Sequence, residues 1–159
     1  MKVKLRDLVN SCQLTLPNGS TYSALSDLAG TEKISARLSH TLTTLQRKIV
    51  GYVEDYNSVR QKSLSQYARR QDDDPSKYTF LPKNNKDADE VAKCQENFDS
   101  FNKEVESLLA KEEEVDVTPI PLTAFEAEEE RGVVFDGAAL QLIWWVISDE
   151  KQKVEPGHD

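Results

Sequence analysis

The residues able to do chemistry are few and scattered. The chain has two histidines; metal capture or general acid–base work needs such a ring within reach of a cysteine, a carboxylate or a second histidine. His40 lies among Ser39, Thr41 and Thr43, and His158 near the last residue, neither with a partner at ligand spacing. Both read as structural or surface side chains. Cys12 and Cys94 stand 82 positions apart outside any paired-cysteine motif. A disulfide between them is one reading; two free thiols in a reducing compartment is the favoured one. Residues 71–75, QDDDP, set three aspartates side by side. A calcium loop alternates its ligands around a glycine, so this run reads as a solvated loop. Residues 15–20, TLPNGS, have one glycine and no following lysine, which makes a turn at Asn18-Gly19 rather than a phosphate cradle. The glutamates at 112–114 and 128–130 would suit a mimic of a phosphate backbone, but such runs are usually solvated faces. There is no G-x-S-x-G, H-E-x-x-H or EF-hand pattern. No catalytic residue, cofactor or metal is expected, and the chain reads as non-enzymatic.

What remains is a protein of surfaces, and the elements that build them are legible. From Ile34 the apolar positions run Leu38, Leu42, Leu45, Ile49, Val53, Tyr56 and Val59 in steps of three or four, the period of one helix face. The spacing predicts a helix of roughly forty residues over 32–71, about 60 Å long at 1.5 Å per residue. Gly51 lies inside it and should cost about 1 kcal/mol relative to alanine, which calls for a packing contact there. Val91, Cys94, Phe98, Phe101, Val105 and Leu108 form a heptad seam on a second helix from about 87 to 111. The prolines and asparagines of DDDPSKYTFLPKNN separate the two. A helix, a break and a helix with a matching seam predict an antiparallel hairpin.

The second helix is too short to accompany all of the first, so the proximal part, 34–45, needs another cover. Residues 135–148, FDGAALQLIWWVIS, offer one: Asp136 is a good N-cap, and the apolar run predicts a helix to about Ser148. Its apolar surface is too wide for one contact. One of Trp144 and Trp145 is expected on the proximal long helix, the other against the N-terminal segment or a second chain. MKVKL and EVDVTPIPL alternate as strands do, RGVVF offers a third short strand, and LRDLVNSC and TYSALSDLAG read as short helices. The expected fold class is therefore mainly α, α+β at most: a coiled-coil hairpin arm at about 46–111 on a small helical base from 1–45 and 112–149, with a two- or three-stranded ribbon. One domain spans 1–149, and 150–159 is expected to be a disordered tail.

Charge is split along the chain. Residues 1–71 carry eleven Lys/Arg against five Asp/Glu; residues 72–159 carry nine against twenty-three, and the net charge is −8. Complementary packing of the acidic stretch 104–130 against the basic long helix accounts for this better than a nucleic-acid face, because the basic residues lack interleaved aromatics. The opening MKVKLRDL has no apolar core of a secretory signal, and the run at 138–147 is too short to span a bilayer. A soluble intracellular protein without a membrane partner is expected. Two surfaces suit a protein partner. At the hairpin tip, Tyr78, Phe80 and Leu81 either anchor a partner or fold back to cap the seam. The free side of the Trp144/Trp145 helix would suit a homo-oligomer.

The order of parts resembles an uncharacterised family of small tailed-bacteriophage helical proteins. The resemblance is carried by MKVKLRDLVNS, LSDLAG, NFDSFNKEVESLLAKEEEVDV, VDVTPIPL and FDGAALQLIWWVIS; residues 70–86 lie outside it. It implies a viral, non-enzymatic protein of the infected bacterial cytoplasm or the virion, and it transfers no site residues. The expected function is protein–protein interaction, as a virion or assembly accessory factor or as an inhibitor of a host defence or host enzyme. The alternative is a nucleic-acid-associated protein using the basic long helix.

Overall fold

The computed structural model describes residues 1–149, so the expected tail at 150–159 lies outside the described residues. In chain order the elements are β1 (Lys2–Lys4), α1 (Leu5–Cys12), β2 (Leu14–Thr15), β3 (Thr21–Tyr22), α2 (Ala24–Ala29), α3 (Ala36–Tyr67), β4 (Arg69–Arg70), β5 (Tyr78–Thr79), α4 (Ala88–Leu109), β6 (Glu112–Glu114), β7 (Ile120–Pro121), α5 (Leu122–Glu130), α6 (Gly137–Leu142), a 3-10 turn (Trp144–Val146) and β8 (Ile147–Ser148). The fold is mainly α with small strand pairs. The described residues divide into two compact units: a terminal unit from both ends of the chain, 1–53 and 112–149, and a hairpin unit, 54–111.

In the terminal unit, Leu5, Leu8 and Val9 form the buried face of α1, and Leu25 and Leu28 that of α2. The stripe of α3 is buried at Leu38, Leu42, Leu45, Ile49 and Val53. Polar contacts tie α3 to its neighbours on both flanks. On one side the Ser39 hydroxyl donates to the Ala29 carbonyl (2.7 Å), and the Ser26 hydroxyl to Gln46 (3.1 Å). On the other, Lys48 donates to the Asp116 carbonyl (3.1 Å) and the Tyr52 hydroxyl to the Glu114 carbonyl (3.0 Å). Helix α5 was not expected. Pro121 precedes it as an extended N-cap residue, and Phe125 anchors it edge-to-face on Phe135 with ring centroids 5.4 Å apart.

The strands differ from the expected ribbon. They form four separate two-stranded pairs. β1 pairs antiparallel with β6, setting Lys2 opposite Glu114 and Lys4 opposite Glu112, so the glutamate run meets the opening lysines across a ladder. β7 and β8 are parallel, Ile120 beside Ile147. Residues 131–135 form a turn and an extended stretch, not a third strand. β2 and β3 close on the Asn18-Gly19 turn, where Gly19 takes φ +81°.

Helix α3 covers 32 residues rather than forty. Lys33, at φ +65°, turns the chain below its start, and Arg69 and Arg70 leave it to pair with Thr79 and Tyr78. The tip is thus a short antiparallel ladder instead of an open loop. Helix α4 begins on the Asp87 carboxylate, which accepts from the Asp89 and Glu90 amides (3.1 and 3.2 Å). It returns beside α3: the Ser63 hydroxyl donates to Glu104 (2.6 Å), and Glu106 bears electrostatically on Tyr56, seven residues earlier on α3. That opposite progression is the antiparallel hairpin. Its seam, however, is not closed. Of the six heptad positions on α4 only Phe101 is buried; Phe98 is 41% exposed, and Val59 facing from α3 is 49% exposed. Gly51 has no packing partner: a Cβ added there meets nothing within 4 Å.

Candidate functional site

The sequence-predicted contact residues separate into two inward and two outward ones, with Tyr78 between. Phe80 folds back. Its ring lies 5.2 Å from Phe98 and 5.4 Å from Phe101, so it closes the end of the hairpin interior. Tyr78 is half-buried under the Arg70 guanidinium, 5.0 Å from the ring centroid, and Arg70 in turn donates to the Pro75 carbonyl. Leu81, next in line, is 71% exposed. The tip is therefore a built corner with one apolar side chain outward. Its aspartates serve the corner itself: Asp72 pairs with Arg69 (3.3 Å) and Lys83 (3.7 Å), and Asp74 with Lys77 (3.1 Å) while accepting from the Ser76 amide (3.1 Å).

Neither tryptophan lies on α6. α6 ends at Leu142, and the chain tightens into the 3-10 turn, which sends neighbouring rings to different sides. Trp145 meets the N-terminal segment: its indole N–H donates to the Ser11 hydroxyl (2.8 Å). Ser11 is fully buried and donates in turn to the carbonyls of Asp7 (2.6 Å) or Leu142 (2.9 Å). Trp144 is 56% exposed.

The groups that could do chemistry are placed as separate structural parts. His40 is exposed on α3. Cys12 and Cys94 are free thiols in different units, and burial pushes the Cys12 thiol up to about 11, away from a reactive thiolate. Glu128, read as part of a solvated run, is buried. Its carboxylate accepts from the Ser35 amide (3.1 Å) and from Arg131 (3.0 Å), so it receives the start of α3. Among the described residues no three metal-ligating side chains come together, and no helix is long and apolar enough to cross a membrane.

What the heptad reading missed is a groove of about 610 Å³ within the hairpin unit, between α3 and α4. Its apolar lining is Val59, Val105 and Leu108, with Tyr67 at one end. Arg60, Lys103 and Lys111 contribute cations around it, and Glu104 crosses it, holding both the Ser63 and Tyr67 hydroxyls at 2.6 Å. Those two hydrogen bonds hold the Glu104 carboxyl below the ordinary glutamate value of 4.5. Exposure at a regular apolar spacing was the missing signal. The period locates the stripe but does not say how much of it the partner helix covers. Comparison with protein-family models, curated proteins and solved structures finds no match to this chain.

Proposed function

We propose that this is a non-enzymatic bacteriophage protein that works by contact with another protein. On this reading it serves as a virion or assembly accessory factor or as an inhibitor of a host defence or host enzyme in the infected cytoplasm. The observation that carries it is the unclosed hairpin seam, with Val59 on α3 and Phe98 on α4 presenting apolar surface to solvent. Apolar side chains grouped on a rigid frame are what protein interfaces use, since their exposure costs free energy until a partner covers them. The sequence resemblance supports the viral setting.

The test is affinity capture from infected bacteria with the wild-type chain and a Val59→Asp variant. A stoichiometric protein that the wild type retains and the variant loses is the expected outcome. A partner retained equally by both would take the groove out of the contact. Recovery of nucleic acid alone, with a binding constant falling steeply as salt rises, would replace this reading with the nucleic-acid one. The exposed Arg37, Arg47 and Lys62 of α3 are the residues such a reading would use.

A further inference from the structure

A hairpin of two helices covers each of them on one side only, and the side left over here has a definite chemistry. The groove floor is Val59, Val105 and Leu108. Two aliphatic groups on α4 three residues apart, facing one on α3, form the hollow that a third helix fills with residues at i, i+3, i+4 and i+7. The rim is basic. Lys103 is exposed, Arg60 lies with its guanidinium 5.7 Å from the Phe101 ring, and Lys111 stands at the far end. The one anion, Glu104, spends its oxygens on Ser63 and Tyr67 across the helix pair. The cations outnumber it. This positive rim belongs to a chain whose net charge is −8, so it opposes the overall field of the molecule and disfavours a basic partner locally while drawing in an acidic one.

We propose that the α3/α4 groove of the hairpin unit binds an acidic amphipathic helix of a partner protein, its apolar stripe on Val59, Val105 and Leu108 and its carboxylates on Arg60 and Lys103. The assignment rests on the protein-contact reading above and specifies its partner's chemistry. A second copy of the chain is a poorer occupant. Of its acidic helices, α5 already buries its aromatic anchor, Phe125, in the terminal unit, and α4 interleaves Lys93 and Lys103 with its carboxylates.

The test uses the full chain and two labelled synthetic helices of about 18 residues. They share leucines at i, i+3, i+4 and i+7 and carry either glutamate or lysine at every flanking position. Fluorescence anisotropy should show the glutamate peptide binding and the lysine peptide binding at least about tenfold more weakly, with the difference shrinking as salt rises. Lys103→Glu, at an exposed position and with the melting temperature measured alongside as a check of folding, should weaken the glutamate peptide by about tenfold and reverse the preference. Equal binding of both peptides, binding by neither, or indifference to Lys103→Glu in a folded variant overturns the inference. So does light scattering that shows a dimer lost in Val59→Asp, which would put a second copy in the groove. If the peptides fail while capture from infected cells still depends on Val59, the contact reading stands and only the partner's chemistry is refuted.

Discussion

At the scale of the residue, two buried polar side chains, Ser11 and Glu128, hold the chain to itself. Ser11 carries no exposed surface because it ties α1 to the Leu142 carbonyl and the Trp145 indole. Glu128 does the same for α3. The first amides of a helix have no partner within it, and the buried carboxylate at Glu128 takes the one at Ser35. Hydrogen bonding from Ser35 keeps its pKa below the ordinary 4.5 despite burial, which pushes the other way. A group depressed in the folded state stabilises the fold above its unfolded pKa, and that share disappears as pH falls through the folded value. Glu128→Gln should therefore melt lower than the wild type at neutral pH. The gap between them should narrow between about pH 5 and pH 3 as the wild type loses its share. Thermal melts followed by circular dichroism at stepped pH would measure it; a gap constant across that range would mean that the carboxylate charge contributes nothing.

At the scale of the element, periodicity proved a good guide to type and a poor one to ends and coverage. The α3 and α4 stripes were legible because apolar residues recur every three or four positions, and α2 and the Asn18-Gly19 turn because a cap and turn residues mark them. The end of α6 was not. Nothing in LQLIWWVIS distinguishes a helix from a tightening turn that leads into a strand, and the parallel pairing of Ile147 with Ile120 decided it. Helix α5 was hidden because Pro119 and Pro121 before it read as extended chain and its glutamates as a solvated run. Of the five proposed contact residues, Leu81 and Trp144 are outward, Tyr78 is half-buried, and Phe80 and Trp145 have internal partners. A sequence does not reveal which aromatic folds back. Gly51 carries a further lesson. Its spacing in a long helix argued for a close neighbour, but the space beside it is open, so the glycine only loosens α3. Gly51→Ala should stabilise the protein by about 0.5–1 kcal/mol, raising the melting temperature and the denaturant midpoint without changing the slope of the transition. A neutral or destabilised variant would show that the glycine is needed for something besides packing.

At the scale of the whole molecule, burial in the hairpin unit is concentrated on few side chains. Phe101 has Phe80 on one side and the Arg60 guanidinium on another, whereas Val59 is half in water. Phe101→Asp should cost about 3–5 kcal/mol by removing the ring and burying an unpaired charge. Val59→Asp should cost under about 1 kcal/mol, because that position is already wet. Urea titration would read both, and comparable losses would mean that the seam is closed in solution. Leu45→Asp, in the buried stripe of the terminal unit, belongs with the severe class.

The pairing of β1 with β6 has a consequence for how such a chain is made. Met1 reaches Glu114, 113 positions further along, whereas the tip ladder joins residues about ten apart. Contacts between near neighbours form early and distant ones late, because a long loop must first be closed. During synthesis β1 therefore has no ladder to join until β6, at Glu112–Glu114, has been made. β1 is made before its partner β6 and is among the last elements to find its place.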